Sequence, residues 1–223
     1  MTARIPTADP AERDRGLAAA ATALRRGQLV GLPLDSAYGI AADAFSERGV
    51  AALREAKGRP DLSVPVMVPR IATVAGIAEV DADARALMLG FWPGALTLVL
   101  PVQPTLAWSL ADGSGRIAVR MPLHPVALEL LARTGPLAVA AAAPVAPEVT
   151  AITAGAAFPP DLADRLAVLL DAGPLPVAPA SAVVDLTGPV PVLRRPGPLH
   201  PADLLGECPT LLVPTPDGPA PAP

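Results

Sequence analysis

Residues 32–40 of the chain read Leu-Pro-Leu-Asp-Ser-Ala-Tyr-Gly-Ile, and residues 56–60 read Ala-Lys-Gly-Arg-Pro. The hydrophobic run that closes at Pro33 predicts a buried strand, and the polar residues behind it predict a short turn. Lys57 and Arg59, which are separated by one residue, lie at the end of a segment with helical periodicity. A strand, a turn and a helix that ends in two cations form a layout suited to binding an anion. Strands that alternate with helices favour an α/β fold.

The composition indicates one domain with a short appendage. The chain has 223 residues, of which 52% are hydrophobic and 3% aromatic, so we expect one core built mainly from small aliphatic side chains. We place this domain at residues 10–205. Residues 206–223 form a C-terminal extension that is rich in proline, and we predict that its end is disordered.

Charge and residue inventory argue against several classes of protein. The formal net charge of −4 disfavours a broad nucleic-acid-binding face but leaves room for a local basic patch. The single cysteine, Cys208, excludes an internal disulfide, and the two histidines have no partner at metal-ligand spacing, so we predict no metal site. The N-terminus is polar and no long apolar run is present. We therefore expect a cytoplasmic protein without a signal peptide or a membrane-spanning segment.

Hydrophobic periodicity predicts helices and strands that interleave along the whole chain. Leucines and alanines at helical spacing mark a first helix, which Gly27 closes. Short apolar runs bounded by Gly, Pro or polar residues mark strands, and the last two read as a hairpin. The predicted helices cover residues 11–26, 47–57, 71–78, 82–90, 125–133 and 160–170, and the predicted strands cover residues 28–33, 64–68, 95–100, 117–121, 137–142, 183–186 and 190–193.

Further motifs follow the two opening segments in a fixed order. They read Phe-Trp-Pro-Gly-Ala-Leu-Thr-Leu-Val-Leu at 91–100, Ile-Ala-Val-Arg-Met-Pro at 117–122, Ser-Ala-Val-Val-Asp at 181–185 and Val-Leu-Arg-Arg-Pro-Gly at 192–197. Together with the first two segments, this series resembles the motifs of the Sua5/YrdC/YciO family. The resemblance extends from about Gly16 to Leu199. It implies a single α/β domain with a twisted mixed parallel and antiparallel sheet, flanking helices and a central concave basic site.

The resemblance also implies an activity. Active members of the family are threonylcarbamoyl-AMP synthases, nucleotidyltransferases that convert ATP, threonine and bicarbonate to threonylcarbamoyl-AMP and diphosphate for the t6A modification of tRNA. ATP is then a substrate and Mg²⁺ bridges its phosphates. Carried over position by position, the resemblance gives Lys57 and Arg59 as catalytic residues and Ser36, Tyr38, Arg120, Ser181 and Arg194 as nucleotide- or substrate-binding residues.

Several positions depart from the family pattern. Leu34 and Ala182 stand where active members usually carry threonine, and Ser36 keeps the hydroxyl of a threonine. Ala141 and Ala143 stand where the family has Ser-x-Asn. A hydrogen bond to a charged group contributes roughly 1.5–3 kcal/mol, so the loss of two such bonds corresponds to about two to four orders of magnitude in rate.

Three interpretations stay open at this stage. The chain is a working synthase, a diverged paralogue that binds a nucleotide but has altered or no synthase activity, or a non-enzymatic module that binds RNA through a local basic surface. Small-molecule substrates are the expected partners in the first case. The sequence does not decide between a monomer and a homodimer.

Overall fold

The structure, a computed structural model, describes residues 2–106, 108, 110, 114–143, 152–155 and 158–214. Within these residues a ten-stranded sheet runs in the order β1-β8-β2-β3-β7-β4-β6-β5-β9-β10. The strands are β1 (Ala3–Pro6), β2 (Leu29–Pro33), β3 (Tyr38–Asp43), β4 (Val66–Met67), β5 (Leu96–Pro101), β6 (Arg116–Arg120), β7 (Leu137–Ala141), β8 (Leu166–Asp171), β9 (Ala182–Asp185) and β10 (Val192–Arg195).

The sheet is mixed, as the sequence predicts. β8 runs parallel to both β1 and β2, whereas β3 pairs antiparallel with β2 and with β7. Farther along, β4 is parallel to β6 and β5 is parallel to β9, while β5 and β6 are antiparallel. The helices are α1 (Pro10–Arg25), α2 (Glu47–Ala56), α3 (Ala82–Phe91), α4 (Pro125–Thr134), α5 (Pro160–Ala163) and α6 (Pro201–Glu207), and Ile71–Gly76 forms a 3₁₀ helix.

The core lies on both faces of the sheet. Successive residues of β7 alternate between two buried clusters, with Leu137 and Val139 in one and Ala138 and Ala140 in the other. This alternation is the period of two that a strand imposes on its side chains. α1 and α4 cover the first cluster, while α2 and α3 contribute to the second. Strands buried on both faces explain why so many core residues are alanine, valine and leucine.

The end of α2 places the predicted cations. Ser46 caps the helix by accepting a hydrogen bond from the Gly49 amide, and Lys57 closes it at the other end. Gly58 has φ +62°, its amide donates to the Glu55 carbonyl at 2.9 Å, and the Arg59 amide donates to the Arg54 carbonyl at 3.0 Å. These two bonds form a Schellman motif, which only a glycine forms without strain. Lys57 and Arg59 consequently point in different directions.

Most of the predicted elements are confirmed, with one error of type. The predicted helix over residues 160–170 is wrong beyond Ala163, because residues 166–171 form β8 between β1 and β2. The run Leu-Ala-Val-Leu-Leu-Asp is apolar on both faces, and such a run does not distinguish a buried strand from a buried helix. The predicted strand at 64–68 shrinks to β4, which is internal to the sheet and begins immediately after Pro65.

Packed residues extend beyond the predicted limits of 10–205. β1 belongs to the sheet although it precedes residue 10, and Leu212 forms a bridge with Val192 of β10. The domain boundaries stay a prediction. Residues 215–223, which hold most of the prolines of the C-terminal extension, lie outside the described residues. Among the described residues, no helix is both long and apolar enough to cross a membrane.

Gly197 marks the closest backbone approach around the last strands. Its φ is +59°, and a Cβ placed there would lie 2.2 Å from the Ala182 nitrogen and 2.6 Å from the Ser181 carbonyl carbon. Both atoms belong to the backbone, so they move only if β9 moves. A side chain at this position therefore meets a steric overlap and a disfavoured backbone conformation together.

We predict that Gly197→Ala lowers the free energy of unfolding by at least about 2 kcal/mol, because left-handed backbone strain alone costs about 1–2 kcal/mol. Gly76→Ala is the matched control, since no atom lies within 4 Å of a Cβ at that position. Chemical denaturation followed by circular dichroism measures the free energy of unfolding of both variants. Equal stability of the two variants would contradict the close approach.

Candidate active site

A cavity of about 370 Å³ opens beside the turn that joins β2 to β3. The turn, residues 34–37, and the first residue of β3 form one wall. The remaining walls come from residues in or next to β4, β5, β6, β7, β9 and β10. Four of the seven predicted site residues line it, namely Ser36, Tyr38, Arg120 and Ser181.

A hydroxyl and guanidinium cluster forms the polar wall. The Ser181 and Thr97 hydroxyl oxygens lie 2.8 Å apart and share a hydrogen bond. Arg195 donates from Nε to the Ser181 carbonyl oxygen at 2.7 Å and from Nη2 to the Ser181 Oγ at 3.4 Å. These contacts use part of the five N–H donors of a guanidinium, so Arg195 keeps donors for an anion in the cavity.

Asp35 and Arg120 form an ion pair in the cavity wall. The Arg120 guanidinium donates from Nη2 to Asp35 Oδ2 and from Nε to the Gly94 carbonyl oxygen, the latter at 3.0 Å. Asp35 Oδ1 accepts from the backbone amides of Leu123 and His124, both at 2.8 Å. The Arg120 side chain is 14% exposed and the Asp35 side chain 17%, so solvent screens the pair only weakly. The Asp35 carboxylate is fully engaged within the protein.

Lys57 reaches the edge of the cavity without lining it. Its ammonium donates to the carbonyl oxygens of Ala141, at 2.8 Å, and of Ala143. Burial lowers the pKa of the Lys57 ammonium from its ordinary value. The contact links the end of α2 to the end of β7. Arg59 is exposed and pairs with Asp61 at 3.2 Å, so the structure does not bring Arg59 into the cavity wall.

The two adjacent arginines of β10 have different surroundings. Arg194 binds Asp185 through Nη2 at 3.1 Å and Nε at 3.2 Å, and it is absent from the cavity lining. Arg195 lines the cavity. A register shift between Leu193 and Arg195 in the pairing with β9 separates the two side chains. β-bulges re-aim side chains in this way.

The Tyr38 hydroxyl is bound within the 171–173 segment. The side chain is fully buried, and its hydroxyl accepts from the Ala172 amide at 2.9 Å and lies 2.8 Å from the Gly173 carbonyl oxygen. Burial raises the pKa of Tyr38 to about 12. Its ring packs edge-on against Phe158, with the centroids 5.8 Å apart. Tyr38 therefore supports the wall through packing and through the 171–173 segment.

The sequence of the chain matches a known protein family. The family model Sua5_yciO_yrdC, which carries the description "Telomere recombination", matches residues 22–197. The chain belongs to the Sua5/YciO/YrdC family. A Mycobacterium tuberculosis protein named "Putative threonylcarbamoyl-AMP synthase" is 47% identical over 89% of this chain and 92% of its own length. A Bacillus subtilis threonylcarbamoyl-AMP synthase is 35% identical over 88% of this chain, which spans 56% of that protein.

Solved structures share the fold of this family member. Pyrococcus abyssi Sua5 complexed with L-threonine matches with a TM-score of 0.83 at 30% identity, covering 96% of this chain and 62% of that one. E. coli YciO matches with a TM-score of 0.76 at 21% identity, covering 92% of this chain and 99% of that one, and shows the fold alone. Both confirm the predicted α/β domain.

Arg195 lines the cavity but was not among the site residues predicted from the motifs. The sequence Leu-Arg-Arg-Pro-Gly at 193–197 offers two arginines for the family's Leu-Arg-x-Gly pattern, and counting from Leu193 selects Arg194. Counting back from Gly197 selects Arg195. The register shift that decides between them depends on strand pairing and leaves no mark in the local sequence.

We predict that Asp35→Asn lowers the free energy of unfolding by about 2–4 kcal/mol, because it leaves the mostly buried Arg120 charge without its counterion. Asp61→Asn is the matched control, since it removes the carboxylate of the exposed Arg59 pair and is expected to leave the unfolding midpoint unchanged. Urea denaturation of both variants measures the difference. A loss that is no larger for Asp35→Asn would refute a structural role for the pair.

Proposed function

We propose that the chain is a threonylcarbamoyl-AMP synthase, which joins ATP, L-threonine and bicarbonate-derived CO2 into threonylcarbamoyl-AMP and diphosphate for tRNA modification. One relative named "Putative threonylcarbamoyl-AMP synthase" is 47% identical over 89% of this chain, and one named "Threonylcarbamoyl-AMP synthase" is 35% identical over 88% of it. The observation that carries the proposal is the cavity itself, because Arg120, Arg195, Ser181 and Thr97 face one space at motif positions of that family. The phosphates of ATP and the carboxylate of threonine need such converging donors.

The chemistry requires little from the protein beyond position and charge. The neutral amine of threonine attacks the carbon of CO2, forms the C–N bond and loses a proton to solvent. A carbamate oxygen then attacks the α-phosphorus of ATP, and the bond between that phosphorus and the bridging oxygen breaks to release diphosphate. Holding the reactants in line and neutralising phosphate charge supply most of the rate acceleration in phosphoryl transfer.

The residues divide this work by location. Arg195 and Ser181 hold the nucleotide phosphates from β9 and β10, and Arg120 provides charge from β6. Lys57, proposed from its motif position, supplies a further cation at the rim once its carbonyl contacts exchange for phosphate oxygens. In this proposal Arg59 and Arg194 support the site from outside the cavity. Tyr38 acts through packing, and Ser36 retains a hydroxyl on the cavity wall.

Mg²⁺ enters this proposal with the nucleotide. Among the described residues, no group of three or more His, Cys, Asp or Glu side chains is placed to hold a metal ion. Asp35 is the carboxylate in the cavity wall, and its oxygens are bound to Arg120 and two amides. Among the described residues, the cavity wall thus offers no carboxylate oxygen that is free of a protein partner. A magnesium ion bound to phosphate oxygens needs no such site.

We predict that purified protein forms threonylcarbamoyl-AMP from ATP, Mg²⁺, bicarbonate and threonine, and that Arg195→Ala lowers kcat/KM at least about 100-fold because a charge-assisted bidentate contact is lost. Arg194→Ala is expected to lose less, since that guanidinium is bound to Asp185. Arg133 of α4 pairs with Asp14 of α1 away from the cavity, so Arg133→Ala serves as the control that is expected to keep its activity. Mass spectrometry of the adenylate measures the activity of the natural protein and of the three variants. Equal losses in the two β10 variants would contradict the assignment of Arg195.

A diverged paralogue with altered or lost synthase activity is the second candidate. The positions that depart from the family pattern cluster at the cavity, where Leu34 and Ala141 line the wall and the Ala143 carbonyl binds Lys57. In that case the scaffold keeps its nucleotide contacts and the acceptor changes. We propose RNA binding and cytoplasmic location only as companions of the tRNA-modifying function.

The two candidates separate in a variant that restores the family side chains. For a diverged paralogue, Leu34→Thr combined with Ala141→Ser and Ala143→Asn produces threonylcarbamoyl-AMP at least about 100-fold faster than the natural chain, because two charged hydrogen bonds return. Product from the natural chain at a rate equal to that of the variant would eliminate this candidate. The same mass-spectrometric assay applies, and thermal unfolding of both proteins controls for folding.

A further inference from the structure

The cavity has an apolar end, formed by residues in or near β2, β4 and β7, namely Leu34, Pro65, Met67, Val139, Ala140 and Ala141. Thr97, Arg120, Ser181 and Arg195 lie on or next to β5, β6, β9 and β10, beside the apolar residues Ala118, Ala180 and Val183, while Asp35 and Ser36 of the turn adjoin Leu34. In the sheet, β7 and β4 adjoin each other on one side, and β6, β5, β9 and β10 follow on the other. The apolar group thus lies on one side of the sheet order, and the hydroxyl and guanidinium group of Thr97, Ser181 and Arg195 lies on the other.

Packing fixes the apolar end. Gly39 has no side chain, and a Cβ there would lie 2.9 Å from Leu34 Cδ1 and 3.0 Å from Val139 Cγ1. The two side chains therefore cover the same glycine. Leu34, Met67 and Val139 all pack in the core cluster that α1 and α4 complete. This end of the cavity is a continuation of the core and is held in place by it.

The apolar end has few hydroxyl groups that could bind a polar side chain of a ligand. The Tyr38 hydroxyl is bound within the 171–173 segment. Ser36 lies on the turn, two residues beyond Leu34, and is the one hydroxyl of that turn. Apart from Asp35 and Ser36 of the turn itself, the cavity residues that share the core cluster with Leu34, namely Met67 and Val139, carry no hydroxyl group.

An amino acid fits such a cavity in one orientation. Its carboxylate, which the reaction at the amine leaves unchanged, is drawn to the guanidinium groups, and its side chain then extends toward the apolar end. Resting on the proposed function, we propose that this end does not distinguish the threonine side chain from the isosteric side chain of valine, so that the site accepts β-branched aliphatic amino acids together with threonine. Leu34 is the residue that determines this specificity.

The ratio of the affinities for threonine and valine differs between a pocket that hydrogen-bonds the threonine hydroxyl and an apolar pocket. A pocket built to hydrogen-bond a hydroxyl rejects an analogue that lacks it by about 10⁴–10⁵-fold, because buried polar groups are left unpaired. An apolar pocket discriminates between such isosteres by only about 10²-fold or less. A threshold of a hundredfold in the ratio of dissociation constants therefore decides between them.

Calorimetric titration of the full chain with L-threonine and with L-valine, each with a non-hydrolysable ATP analogue present, tests the proposal. We expect dissociation constants that differ by less than about a hundredfold, and we expect Leu34→Thr to shift the ratio toward threonine by about tenfold or more. Leu89→Thr makes the same exchange at an exposed leucine of α3 outside the cavity and should leave the ratio unchanged.

Three results would overturn the proposal: a preference for threonine above about a hundredfold in the natural chain, no binding of either amino acid, or a ratio that Leu34→Thr leaves unchanged while circular dichroism shows a folded variant. Binding of both amino acids without formation of any adenylate would refute the proposed synthase activity and would still support the proposal. Adenylate formed from both amino acids supports both. The binding ratio therefore decides the specificity independently of turnover.

Discussion

The ion pair between Asp35 and Arg120 determines where the cavity lies. Asp35 belongs to the turn after β2, and Arg120 ends β6, which lies several strands away in the sheet. The carboxylate also accepts the amides of residues 123 and 124 at the start of α4, so one side chain joins three separate segments. A mostly buried charge needs its counterion, and this requirement holds the turn over the sheet. The cavity is the space enclosed between the turn and the strand ends.

The apolar departures from the family pattern belong to the same construction. Leu34 extends the core cluster of α1 and α4 into the cavity, and Gly39 gives it room. Hydrocarbon at a core-facing position stabilises the fold, whereas the side chains of residues 34, 141 and 143 present no hydroxyl or amide group to a ligand. Stability and ligand recognition thus compete for the same few positions.

The sequence predicts the architecture well and the details of the site less well. Motif order and alternating elements are enough for the α/β class and for the place of the β2–β3 turn, because both depend on local patterns. The alanine-rich β3 and the β1 strand escape prediction, since neither has a high β-propensity and each is defined by its neighbours in the sheet. β8 reads as a helix for the same reason, and its true type follows only from the strands on either side. The choice between Arg194 and Arg195 likewise depends on strand register.

Lys57 differs from Arg59, Arg120 and Arg194 in the partners it has. Each of these arginines faces a carboxylate, whereas the Lys57 ammonium is held by carbonyl oxygens of Ala141 and Ala143, which carry no net charge. Among the described residues its positive charge is therefore oriented by carbonyl oxygens and has no carboxylate partner, and burial lowers the pKa of the group. An anion that arrives beside it returns the pKa toward its ordinary value. Anion binding at this rim is thus linked to proton uptake, and its affinity falls as alkaline pH removes the proton from Lys57.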